Sequence, residues 1–249
     1  MRVLGVIPAR LGSTRLPHKP LQSLAGEPLI TRVVQRVLEH ELLDELVVAT
    51  DSLRVVEVAE RSGVRAVLTD SGHQTGTDRV AEVASGAAYA SFDIVVNIQG
   101  DEPFLSREAL FGALARVEGG DEVGTAAAPL DVDLAGDPNR VKVVTDARGR
   151  ALYFSRSIIP YRRDSDSSSE GLYWQHLGIY SFTRVALARW ISLPPSAAER
   201  AESLEQLRAL HNGMTIGVAR LKQPVLPGID TEDDLRRAEA HWHTFQGQV

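Results

Sequence analysis

VLGVIPARLGSTRLPHKP, residues 3–20, reads as a strand running into a cationic loop. Val3, Val6 and Ile7 belong to a short apolar run with β-branched bias, and Pro8 ends it. The loop carries Arg10, Arg15 and Lys19, with Gly12, Ser13 and Thr14 between them, and helical spacing begins near Pro28. A strand, a basic loop and a helix in that order predict an anion site at the edge of a parallel sheet. Neither a GxxxxGK[ST] loop nor a GxGxxG fingerprint is present. Charge balance for a polyphosphate would therefore come from side-chain cations rather than from a glycine cradle alone. A solvated basic surface loop is the alternative at this point.

The rest of the first half repeats the pattern. Leu29, Ile30, Val33, Val34, Val37 and Leu38 fall on one helical face. Residues 46–50 form a second apolar strand, Val55, Val56, Val58 and Ala59 suit a helix, and 65–68 a third strand. After a polar loop at 69–77, a helix is marked by Val80, Val83, Ala84 and Ala87; 94–98 is the most hydrophobic strand. Helical spacing returns at Leu110, Leu114 and Val117, and 123–128 is a further strand. Such βαβ repetition predicts an α/β fold: a Rossmann-like, mostly parallel, doubly wound sheet whose ligands sit beyond the strands' carboxyl ends.

The second half is less regular and predicts a small extension. Strands are expected at 141–145, 151–154 and 174–182, the first two joined as a hairpin through residues 146–149. The Ser- and Asp-rich stretch 162–171 reads as a mobile loop. A helix is expected at 199–210, a strand at 214–221 and a last helix at 231–242, with Thr231 as N-cap and Asp234 completing a capping box. The expectation is one domain over 1–249, divided at about residue 130, whose second half covers the anion site or carries a dimer contact.

Composition narrows the function classes. In 249 residues, 43% hydrophobic and 24% charged content suffices for one soluble α/β core. A balance of 27 basic to 33 acidic residues argues against a general nucleic-acid or anionic-membrane surface. The absence of cysteine removes disulfides, thiolate catalysis and cysteine zinc sites. With no long apolar run and no signal-type N-terminus, the expected location is the cytoplasm.

Two acidic turns complete the candidate chemistry. NIQGDEP, residues 97–103, follows the buried fourth strand, and GIDT, residues 228–231, precedes the last helix. Asp101 and Asp230 each stand at the mouth of an element, and magnesium takes one or two carboxylates together with phosphate oxygens and water. Asp101 reads alternatively as a turn residue, and Asp230 as part of a helix cap. Gly100 permits close backbone approach beside Asp101.

VIPARLGSTRLPHKPL, HQTGTDR, NIQGDEP, NRVKVV, ALYFSR, HLGIY, SLEQLR and GIDTEDDL run in order from first strand to last helix. Together they resemble the 3-deoxy-manno-octulosonate cytidylyltransferases, the CMP-Kdo synthetases. The resemblance implies a nucleotide-diphosphosugar transferase fold, a homodimer, and a magnesium-dependent reaction in which CTP and Kdo give CMP-Kdo and diphosphate for lipopolysaccharide synthesis. It also implies a nucleotide-binding half to about residue 130, a sugar-binding, dimer-contact half after it, and roles for single residues. Arg10, Lys19 and Arg15 would hold the triphosphate; Pro8, Ala9 and Arg10, with the Gln74 side chain, would meet cytosine and ribose. Asp101 and Asp230 would be the magnesium carboxylates, while Gln99, Arg156, His176, Glu205 and Gln206 would lie near the sugar acid. His176 in an apolar strand also reads as a hydrogen-bonded core histidine. On this reading Lys19, Arg10, Asp101 and Asp230 carry the chemistry, and a second magnesium on the carboxylates would activate the sugar hydroxyl without a side-chain base. The stretch 162–173 departs from the family in composition, which leaves 8-amino-Kdo open as the sugar. A CTP-binding regulator without catalysis is the alternative class; a hexose 1-phosphate enzyme would carry a GxGxR-type loop, absent here.

Overall fold

In the computed structural model, which describes residues 1–13, 15–163 and 171–245, the chain divides into two units. Unit 1 comprises Met1–Arg107 and Val225–Val249. Its strands are β1 (Val3–Pro8), the short pair β2 (Ser23–Leu24) and β3 (Glu27–Pro28), β4 (Glu45–Thr50), β5 (Arg65–Leu68) and β6 (Ile94–Asn97). Its helices are α1 (Leu29–Leu38), α2 (Leu53–Arg61), α3 (Gly76–Ser85) and the chain's last helix, Glu232–Phe245. Four strands pair in the order β6-β1-β4-β5, all parallel, with Val6 opposite Val47 on one side and Asn97 on the other. Leu4, Val6, Ile7, Val47, Val48, Ile94, Val95 and Val96 are fully buried, as strands covered on both faces require.

That order fixes the site. From β1 the chain steps outward through β4 to β5 and then returns to β6 on the other side of β1. The switch point lies between β1 and β6, where the segments following their carboxyl ends part and leave a crevice. Residues 9–13 and 98–103 leave the sheet there.

Unit 2, Glu108–Pro224, is a mixed sheet. It holds α4 (Arg107–Glu118, its first residue in unit 1), β7 (Val123–Pro129), β8 (Lys142–Thr145), β9 (Ala151–Ser155), β10 (Trp174–Thr183), α5 (Arg184–Ser192), α6 (Ala197–Glu202), α7 (Gln206–His211) and β11 (Ile216–Arg220). β11 runs parallel to β7, while β10 is antiparallel to β7 and β8 to β9. The expected hairpin is therefore present.

Four local details differ from the sequence reading. The single helix expected at 199–210 is two, because Ser203 adopts a left-handed conformation at φ 51° and ends α6. Ala87 lies beyond α3, in a 3-10 turn. Helix α5 went unread although Thr183 caps it through Ala186 N–H at 3.1 Å. The β2–β3 hairpin, two residues a side, is too short for a periodic signal; Ala25 and Gly26 turn it with φ of 51° and 82°. Thr14 and residues 164–170, most of the expected loop, lie outside the described residues.

Candidate active site

A cavity of about 270 Å³ opens in unit 1, lined by residues that follow β1 and β6, by the start of α3 and by Asp230. Pro8, Ala9, Arg10, Arg15, Lys19, Gln74, Gln99, Asp101 and Asp230 all line it. The structure thus brings together the whole set expected to hold nucleotide and metal, with Gln99 from the sugar set.

Each member is placed by local chemistry. Ala9 N–H donates to the Ala49 carbonyl at 2.8 Å, and Thr50 Oγ1 donates to the Ala9 carbonyl at 2.6 Å, so β4 holds the exit of β1. Gly100 is required by packing: a Cβ there would lie 2.9 Å from the Pro8 carbonyl oxygen. Lys19 begins a 3-10 turn, Lys19–Leu21, that follows left-handed His18. Thr75 caps α3 in a reciprocal box with Asp78, which sets the Gln74 backbone just before the helix. Ile229 N–H donates to the Asp101 carbonyl at 2.9 Å and ties the two acidic turns together.

Lys19 Nζ stands between the carboxylates. It pairs with Asp101 Oδ2 in a short contact and with Asp230 Oδ1 at 2.7 Å; Arg15 Nη2 meets the same Asp230 oxygen at 3.1 Å. Burial alone would lower the Lys19 pKa, but Asp101 and then Asp230 outweigh it and hold the ammonium above its ordinary value. Lys19 and Asp101 side chains are 13% and 26% exposed, against 63% and 45% for Arg15 and Asp230. The inner pair is therefore the strong one, and the outer one is weakened by solvent. The capping alternative for Asp230 is resolved: Thr231 and Asp234 make the box through bonds of 2.9 and 3.2 Å. The Asp230 carboxylate is left for the cavity.

Glu102, unassigned from sequence, lies behind this cluster. Burial, then the Asp101 and Asp230 charges, raise its pKa to about 8 against the pull of Lys19, so it is largely protonated at neutral pH. Sequence reasoning also missed Arg79, and in the polar loop His73 reads equally as a solvated turn residue. Arg79, 2% exposed, pairs with Asp51 at 3.0 Å. His73 bonds Glu82, which also accepts Asp70 N–H at 3.0 Å. Both sit inside HQTGTDR, the signal that could have found them. Arg10, Arg15, Lys19 and Arg79 against Asp101 and Asp230 leave the lining positive by two in a chain of net charge −6. Such a local reversal attracts a polyanion. Two hard carboxylate oxygens converging on one cation suit magnesium, provided that phosphate oxygens complete the shell. Among the described residues, no group of three or more His, Cys, Asp or Glu could hold a metal by itself.

The remaining sugar-side candidates lie in unit 2. His176 Nε2 pairs with Thr125 Oγ1 at 3.1 Å, and its ring stands 4.8 Å from Phe154 and 5.4 Å from Tyr180. Burial lowers its pKa to about 3. Glu205 accepts from Trp190 Nε1 at 2.8 Å, and Trp190 packs edge-on against Tyr180, so His176 and Glu205 belong to one aromatic cluster. Gln206 is buried. The Arg156 guanidinium donates to the carbonyls of Glu202 at 2.7 Å, Pro138 at 2.9 Å and Ser203 at 3.4 Å. It ties the end of β9 to residues 138 and 202–203.

Comparison with known proteins agrees with the geometry. The family profile described as Cytidylyltransferase matches residues 4–216. A Gemmatimonas aurantiaca protein named 3-deoxy-manno-octulosonate cytidylyltransferase is 51% identical over 245 residues, covering 97% of this chain and 95% of that one. A Methylococcus capsulatus protein of the same name is 46% identical over 246 residues, with 95% of each covered. A solved structure described as CMP:2-keto-3-deoxy-manno-octonic acid synthetase complexed with CTP superposes with a TM-score of 0.90 at 38% identity. It covers 98% of this chain and 99% of its own.

Proposed function

The chain belongs to the 3-deoxy-manno-octulosonate cytidylyltransferase family, and from that premise we infer that it transfers CMP from CTP to Kdo, giving CMP-Kdo and diphosphate. The observation that carries this reading in the molecule itself is the Lys19 ammonium held between Asp101 and Asp230, in a cavity rimmed by Arg10 and Arg15.

The anomeric hydroxyl oxygen of Kdo attacks the α-phosphorus of CTP. An O–P bond forms there, the bond from the α-phosphorus to the bridging oxygen breaks, and the hydroxyl proton passes to solvent. Such transfer needs positioning and charge neutralisation more than covalent help. Arg10, Arg15 and Lys19 neutralise the triphosphate, and Lys19 offsets charge gathering on the departing diphosphate. The Pro8–Ala9 backbone and Gln74 receive the nucleoside. Asp101 and Asp230 would hold magnesium, which when bound supplies Lewis-acid polarisation of the phosphates and lowers the pKa of a coordinated hydroxyl. Gln99, on the cavity wall, is assigned to the sugar acid; within Glu108–Pro224 the family resemblance assigns Arg156, His176, Glu205 and Gln206 to it, where His176, with a pKa of about 3, would act as a neutral hydrogen-bonding ring.

The finer points of the reading have their own support. Magnesium rests on the all-oxygen donor pair. A homodimer is supported by exposed apolar side chains on and after β9, namely Leu152, Tyr153, Ile158 and Tyr161. A cytoplasmic place in lipopolysaccharide precursor synthesis fits the substrates, and no helix among the described residues is long and apolar enough to cross a membrane.

The test is diphosphate release from purified protein with CTP, magnesium and Kdo, beside controls that omit each. Release requiring all three, with CMP-Kdo identified by mass, is the expected result. Release with 8-amino-Kdo alone would reassign the sugar, and silence with both sugars from folded protein would favour a CTP-binding regulator.

A further inference from the structure

We propose that Asp51 is a positioning residue for nucleotide binding: by clamping the loop that carries Arg10, it sets where that guanidinium meets the phosphates of CTP. The proposal rests on the reading of the cavity as the CTP site.

Asp51 follows the last residue of β4, and its two oxygens are divided between two elements. Oδ1 accepts the Leu11 N–H at 3.1 Å, and Oδ2 lies 3.0 Å from Arg79 Nη2. Arg79 comes from α3, and its Nη1 donates to Thr69 Oγ1, whose hydroxyl donates in turn to the Thr50 carbonyl at 3.0 Å. One carboxylate thus joins the exit of β1 to the ends of β4 and β5 and to the helix beside the cavity.

Arg10 itself is exposed, and among the described residues its guanidinium has no hydrogen-bonding partner. Its position is therefore inherited from its neighbours. On the Ala9 side the anchor includes a backbone bond, Ala9 N–H to the Ala49 carbonyl at 2.8 Å, that follows from strand pairing. On the Leu11 side the anchor is one side chain, Asp51. Removing that carboxylate releases Leu11 and also strands the Arg79 charge, which is buried. Both consequences fall on the loop that presents Arg10.

A merely structural Asp51 and a positioning Asp51 differ in a double-mutant cycle. CTP affinity is measured by calorimetric titration for the unmodified protein, Asp51→Ala, Arg10→Ala and the double variant. Acting through Arg10, Asp51→Ala weakens CTP about tenfold in the unmodified background but less than about twofold when Arg10 is already absent, a coupling usual within one network. Equal fold-losses in both backgrounds, or no loss at all, would overturn the proposal. If Asp51→Ala does not fold, Asp51→Asn separates the two bonds: it keeps an acceptor for Leu11 N–H while removing the charge that pairs with Arg79, so CTP affinity should stay within about twofold, and a tenfold loss there would overturn the clamp. Arg10→Ala alone leaving CTP affinity unchanged would instead refute the assignment of the cavity, and that failure is visible in the single variant.

Discussion

Replacing His176 by Gln should flatten part of the protein's acid sensitivity. The imidazole is held near pKa 3 by burial, against 6.5 in an unfolded chain. Between those values the unfolded state binds a proton that the folded state refuses, so stability is present above pH 6.5 and is lost as pH falls toward 3. For a single site with these two values, the loss between pH 7 and 5.5 comes to about 1.3 kcal/mol. Other groups also titrate in this interval, so the quantity to read is a difference between two proteins. Urea unfolding at pH 7 and 5.5 gives each protein's loss, and the loss of the unmodified protein should exceed that of His176→Gln by about that amount. Equal losses would mean that the ring is protonated in place, and the enclosure by Phe154, Tyr180 and Thr125 would then be the wrong account of it.

Asp101→Asn should lower turnover by at least about 100-fold with an unchanged circular dichroism spectrum, because the lost charge is one that would hold magnesium at the phosphates; a folded variant of near-normal rate would refute the metal assignment. Lys19→Met removes the ammonium now standing between the carboxylates. The nucleotide-free protein should then bind manganese several-fold more tightly, read by electron paramagnetic resonance, while CTP binding weakens; unchanged manganese affinity would refute the competition. Gly124→Ala places a Cβ against the Ala113 carbonyl oxygen of α4, where backbone cannot yield. A loss of about 1–3 kcal/mol in urea unfolding is expected, and a variant as stable as the parent would show that α4 shifts freely.

What the sequence determined by itself is what local periodicity and side-chain chemistry can carry. Continuous apolar runs such as 94–96 must be buried on both faces, helical spacing such as Val33, Val34 and Val37 must face a core, and Thr231 with Asp234 can cap a helix without help from afar. The basic loop and the two acidic turns were legible for the same reason, since charged side chains beside glycine and proline mark the ends of elements. Strand order was not legible, because pairing is decided between segments far apart in the chain. Only the parallel placement of β1 between β4 and β6 brings Lys19 to Asp101, 82 residues on, and to Asp230, 211 residues on. Burial was hidden too: Glu102 and Arg79 are ordinary surface residue types, and the raised pKa of Glu102 and the Asp51 partner of Arg79 follow from what packs over them. The same holds for His176, a strand residue by pattern, whose protonation is set by aromatic rings from other segments. Local sequence selects which groups can act, and long-range packing sets the distances and dielectric in which they do so.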